Sequence, residues 1–222
     1  MPIAPKLQDI RRTQIIEAAL AAISTGGAAN ITMRDVARAA SLSNGGLIHY
    51  FPSKEELFKA TFKEFFSRVF ERGKKELAQI QDPMDKLLGF GAFYDINDSD
   101  VPAGYPLMFD CMSLAAHNED YRVLFAEWLE NWITLLREAI DKGIEQKSFA
   151  NLDPDATARA ISAIYLGISI RWYLARESNT TSWAMAAFKE SIESLMAPYR
   201  VRLPKGSRGK KRQSEKAREK KG

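Results

Sequence analysis

The sequence predicts an all-α protein with a small three-helix head at its N-terminus and a larger helical body behind it. Apolar residues recur at three- and four-residue spacing along nearly the whole chain. No segment alternates strictly between apolar and polar residues with turn residues at its ends, as a half-buried strand would. Helix-start residues stand before the apolar runs: Thr32, Ser43, Ser53, Asn118 and the pair Asp153-Pro154. With 222 residues, 45% of them hydrophobic, the chain is long and apolar enough to bury a sizeable core.

Taken in order, Ile15, Ile16, Ala19, Leu20 and Ile23 make one stripe and predict a helix over residues 11–24, stopped by Gly26-Gly27. Thr32 caps a two-turn helix bearing Val36, Ala37 and Ala40, with Asp35 three residues on as a reduced capping box. Ser41-Leu42 is a tight connection. Ser43 then caps a second short helix carrying Leu47, Ile48 and Phe51, and Pro52 ends it by forcing its neighbour out of the helical region. Ser53 and Glu56 spell a full capping box for a long helix in which Leu57, Phe58, Phe62, Phe65, Phe66, Val69 and Phe70 recur, ending before Pro83. A short helix over 86–93 follows, and DINDSDVPAGYP, residues 95–106, has loop composition. Helices resume over 107–116 and again after Asn118, where Glu119 and Asp120 suit the positive end of a helix carrying Trp128 and Trp132. Asp153-Pro154 opens a helix to about residue 177, and a last one spans about 182–199.

Charge is distributed unevenly. The net charge is +4, but residues 1–60 carry +2, residues 61–201 carry −6 and residues 202–222 carry +8. An acidic body with basic ends suits a protein whose ends alone meet a polyanion such as DNA. The stretch 202–222 has too few apolar residues to offset its ordering entropy and reads as a basic, disordered tail. No run of about 18 apolar residues occurs and the N-terminus has no apolar leader, which predicts a cytoplasmic protein.

Other chemistries find little support. One cysteine, Cys111, and two histidines, His49 and His117, are too few for a Cys/His zinc site, and no cofactor is expected. Gly-x-Ser-x-Gly, P-loop and His-Glu-x-x-His motifs are absent, so no enzyme is predicted. Asp95, Asn97 and Ser99 have the opening spacing of a calcium loop. Asp100 and Pro106, however, stand where that loop needs glycine and glutamate, and the segment is read as solvated.

Two short helices joined by a tight turn behind a supporting helix form a helix-turn-helix, in which one helix braces the DNA backbone and the next enters the major groove. The wording ITMRDVARAASLSNGGLIHYFPSKEELFKAT, residues 31–61, closely resembles the N-terminal signature of the TetR family of transcriptional regulators. That resemblance implies a DNA-binding head over residues 1–52, a helical effector-binding and dimerising body over 53–201, and the basic tail 202–222. Position by position it implies that Thr32 and Ser43 present helix N-termini to phosphate, with Arg34 beside them. Asn44, Gly45 and Gly46 would let the backbone approach the groove, with Asn44 reaching a base edge. His49, Tyr50 and Lys54 would contact phosphates. Ile48 departs from the pattern, since many relatives carry a tyrosine there.

The body of such a regulator encloses a small-molecule site. Phe62, Phe66, Met108, Met112, Trp128, Trp132, Tyr165 and Ser169 are the candidate lining, on the reasoning that such sites are largely aromatic with a few polar groups. SLAAHNEDYR, residues 113–122, and the run Gly167-Ile168-Ser169-Ile170-Arg171 resemble the choline-responsive BetI-type branch, although Leu166 stands where that branch has an acid. Quaternary amines and fatty or aromatic compounds therefore both remain open as effectors. The last two long helices resemble the family's dimerisation pair, with Ala160, Ala163, Ile164, Gly167 and Ile168 as the close-packing stripe of a homodimer. The expected function is repression relieved by an effector at a palindromic operator. The alternative is a sequence-tolerant DNA-binding scaffold whose basic tail supplies most of the affinity.

Overall fold

The computed structural model describes residues 7–98 and 100–201; the basic stretch 202–222 and Ser99 lie outside them. Among the described residues the chain is helical without a named strand, and one isolated antiparallel bridge joins Phe149 to Arg200. The head consists of α1 (Leu7–Gly26), α2 (Met33–Ala39) and α3 (Asn44–Tyr50). The body consists of α4 (Lys54–Ala78), α5 (Pro83–Gly89), a 3-10 turn (Phe90–Phe93), α6 (Val101–Ala115), α7 (Glu119–Glu145), α8 (Pro154–Leu174) and α9 (Thr181–Met196).

Local chemistry sets most helix starts. Thr32 and Asp35 form a complete capping box, the Thr32 hydroxyl accepting from the Asp35 amide while the Asp35 carboxylate accepts from the Thr32 amide at 3.0 Å. The Ser43 hydroxyl accepts from the Gly46 amide at 3.0 Å, and the Ser53 hydroxyl accepts from the Glu56 amide at 3.1 Å. The reduced box at Thr32 thus has both arms, and Ser53 makes the forward one. Gly27, at φ 77°, ends α1 in the left-handed region that glycine tolerates.

Three boundaries differ from the sequence reading. Asp82-Pro83 opens α5 in the way Asp153-Pro154 opens α8, with the Asp82 carboxylate accepting from the Asp85 amide at 2.9 Å. α8 stops at Leu174, short of residue 177. The expected loop over 95–106 is a loop only to Asp100, where α6 begins. Pro102 lies in the first turn, where no intrahelical N–H is lost, and Pro106 is carried inside the helix because Val101, Tyr105, Leu107 and Met108 are buried along it. Gly104, a loop signal by composition, instead permits close packing, since a Cβ there would stand 2.8 Å from the Phe65 ring.

One buried apolar cluster runs from Ile15 in the head to Met196 in the body. α4 crosses from one part to the other. Its Leu57 and Phe58 are buried near the head, and it packs along α1 and then along α7.

Candidate nucleic-acid interface and ligand cavity

α3 is short and two-faced. Leu47 and the C-cap Phe51 are fully buried, which fixes the helix against the head, while Asn44, Gly45, Ile48 and His49 are exposed together. His49 is thus at the surface, as its place in the sequence suggests, with its ring edge-on to Tyr50 at 5.3 Å. Ile48 adds an apolar side chain, 45% exposed, to that face. Arg34 is exposed on α2.

The two glycines separate on geometry. A Cβ at Gly45 would meet nothing within 4 Å, so the protein's own packing does not require glycine there. A Cβ at Gly46 would stand 3.3 Å from the Ser43 hydroxyl and 3.5 Å from Leu42, so the cap itself is one reason for that glycine.

Lys54 does not match its expected role. Its ammonium donates to the Ala28 carbonyl at 2.9 Å and lies 4.9 Å from the centre of the Phe58 ring, partly buried and turned into the protein. Thr32 and Ser43 use their hydroxyls as caps. One residue the sequence reading missed is Arg12, whose guanidinium donates to the Tyr50 carbonyl at 2.9 Å and stacks over Phe51 at 4.1 Å, tying the end of α3 to α1. Its partners lie 38 residues or more along the chain, and nothing local signals them.

In the body, a cavity of about 130 Å³ lies between α4, α6, α7 and α8. Six expected residues line it: Phe66, Met108, Trp128, Trp132, Tyr165 and Ser169. Phe62 and Met112 do not. Phe62 is fully buried with its ring edge-on to Tyr121, and Met112 packs on the core one turn beyond Met108. Phe66 and Trp128 stack at 4.7 Å, and Trp132 meets Phe90 and Phe93 at 5.7 and 5.8 Å, which makes the wall largely aromatic. Gly73 makes room for Trp132, as a Cβ there would be 2.6 Å from the indole.

Two acidic residues of the wall come from the segment expected to be a solvated loop. Asp98 and Asp100 line the cavity, both paired to Arg72 of α4, at 3.1 Å for Asp98 and 2.5 Å for Asp100. Leu166 also lines it. Two carboxylates and one guanidinium thus line the same cavity as Leu166. Burial holds the phenols of Tyr105 and Tyr165 above their ordinary range, so both stay neutral. The Tyr165 carbonyl accepts from the Tyr94 hydroxyl at 3.0 Å and from Ser169 at 2.8 Å. Trp128 Nε1 is buried without a hydrogen-bond partner among the described residues. Cys111 on α6 is buried, and burial pushes its thiol up to about 12, which keeps it neutral.

On α8, Ala163 and Gly167 are exposed, and a Cβ on Gly167 would meet nothing within 4 Å. Ala160, Ile164 and Ile168 are half-buried beside them, the isoleucines packing partly on the core. No described helix is long and apolar enough to cross a membrane.

Comparison with known proteins agrees with this architecture. Residues 15–61 match the family of bacterial regulatory proteins of the tetR type, and residues 97–197 match the C-terminal region of BetI-type transcriptional repressors. The HTH-type transcriptional regulator BetI of Burkholderia mallei is 26% identical over 211 residues, covering 87% of this chain and 98% of that protein. A TetR-family regulator from Cytophaga hutchinsonii superimposes with a TM-score of 0.79 at 22% identity, covering 90% of this chain and all of that one. A transcriptional regulator from Saccharomonospora viridis in complex with choline gives 0.72 at 19% identity, covering 87% of this chain. Head, cavity-bearing body and both family matches lead to one conclusion: the chain belongs to the TetR family of transcriptional regulators, with a C-terminal body of the BetI type.

Proposed function

We propose that this regulator is a homodimeric repressor that leaves its operator when a small organic cation enters the body. In this reading residues 1–52 form the DNA-reading head and residues 53–201 the sensing and dimerising body. Asn44 and Gly45 on the exposed face of α3 enter the major groove, with Arg34, His49 and Tyr50 on the flanking phosphates. Lys54 is left out of this set because its ammonium is committed to Ala28.

The observation that carries the proposal is the course of α4. It starts three residues after the C-cap of α3, and fifteen to twenty residues later its Val69, Arg72 and Gly73 form a wall of the cavity. A ligand that favours one setting of α4 therefore favours one setting of the head, and only a difference in affinity for the two settings can drive release. The exposed small face of α8, Ala163 and Gly167 with Ala160, Ile164 and Ile168, suits a second copy packing closely on it. Two heads related by such a dyad would meet half-sites about 34–36 Å apart.

The cation is favoured by the wall itself. Aromatic faces attract organic cations, and Asp98 with Asp100 carry one negative charge more than Arg72 neutralises. The choline named with the Saccharomonospora structure fits the same chemistry. Duplexes enriched by the full-length protein from a random pool should share two inverted half-sites, and choline should release the protein from them in a mobility-shift titration. Enriched DNA without symmetry would remove the dimeric reading. Release by fatty or neutral aromatic compounds, with choline inert, would remove the cation.

A further inference from the structure

Ala28 is buried in the turn between α1 and α2, where both of its backbone polar groups need partners. Neither partner belongs to the turn. Its N–H donates to the Asp110 carboxylate at 2.7 Å, and its carbonyl accepts from the Lys54 ammonium at 2.9 Å. Both bonds involve a charged group and are partly buried, which makes them among the stronger polar contacts available to a head of this size.

The two side chains reach Ala28 from different walls of the cavity. Lys54 begins α4, whose later turns carry Val69, Arg72 and Gly73. Asp110 lies on α6, whose Gly104, Tyr105 and Met108 line the cavity. Met108 and Asp110 are two positions apart and so point about 200° from each other around the helix. α6 thus stands between cavity and head, one face on each. From Ala28 the chain passes within four residues to Thr32, the cap of α2.

We propose that Asp110 is a positioning residue for DNA reading: it anchors the α1–α2 turn to α6 while Lys54 anchors the same residue to α4, so that the head follows the separation of the two walls. This deepens the function proposed above and rests on it. α4 alone would carry one wall's movement, and Asp110 adds the other's.

Three substitutions in the full-length protein separate positioning from simple support. Asp110→Asn keeps an oxygen acceptor at the same reach; it should stay within about two-fold of wild type in its preference for the enriched duplex over the unselected pool. Asp110→Glu keeps the charge but lengthens the arm; it should lower that preference about ten-fold with binding to the pool unchanged, and Asp110→Ala should do the same. Amide hydrogen exchange should quicken over residues 33–50 in Asp110→Glu and Asp110→Ala, and not only in the turn. Gly104→Ala, which pushes α6 off Phe65, should quicken exchange in that turn when Asp110 is present and add nothing when it is Ala.

Exchange changes confined to residues 27–31, or Asp110→Glu matching wild type in duplex preference, would overturn the proposal. If the wild-type protein enriches no duplex, the repressor reading fails separately, and the exchange data alone decide the role of Asp110.

Discussion

In the head, Thr32 caps through Asp35 and Ser43 through Gly46, each pair within one helical turn. In the body, the cavity is walled by Phe66, Asp100, Trp132 and Tyr165, which lie on four separate segments and meet only when the chain is folded. The head therefore owes its shape to local hydrogen bonds around a small buried set, and the cavity owes its shape to the spacing between long helices. A change in the head should act mainly on DNA contact, and a change in the cavity should act through packing.

The largest test lies where the two regions meet. Phe58 is 2% exposed, packs against Phe62 at 6.5 Å and carries the Lys54 ammonium over its ring. Phe58→Ala should cost about 3–5 kcal/mol in chemical denaturation. A loss below about 1 kcal/mol would mean that the head and body do not share this core. Next comes Gly73→Ala, whose methyl would press on Trp132 and Phe93. It should destabilise by about 1–3 kcal/mol through overpacking and abolish choline binding measured by calorimetry. Unchanged choline binding would place the ligand elsewhere.

Gly45→Ala inverts the pattern. With open space around it, alanine should stabilise α3 by up to about 1 kcal/mol while weakening operator binding, read by melting and mobility shift on the same sample. Tighter binding would show that Gly45 does not face DNA. The smallest effect is electrostatic. The hydrogen bonds from the Thr32 side chain and then its backbone hold the Asp35 carboxyl below its ordinary 3.8. A carboxyl lowered on folding contributes stability above the ordinary value and loses it as pH falls through the lowered one. Acid titration of the protein's melting should show that loss, and Asp35→Asn should make the acid dependence shallower than in wild type.

The legibility of the sequence follows the same division. Thr32, Ser43, Asn118 and Asp153 identified their helices because a cap needs only residues a turn away. The same Asp-Pro signal stands at Asp82-Pro83, and residues 101–106, the first turns of α6, read as loop because Pro102, Gly104 and Pro106 look like breakers until their buried neighbours are known. Phe62 and Met112 share the spacing of true lining residues, and a one-turn difference in where each side chain points sent them to the core. The resemblance implies a phosphate contact for Lys54, and nothing near it in the chain foretells Ala28 as its partner.

By itself, the sequence determined the helical class, the two short capped helices of the reading head and the family, because these rest on periodicity and neighbours a few residues apart. Only the tertiary structure decided which aromatic residues enclose the cavity, that Asp98 and Asp100 pair with Arg72 on its wall, and that Asp110 and Lys54 converge on Ala28. Those contacts join residues 26 or more positions apart, and their geometry depends on how whole helices settle against one another.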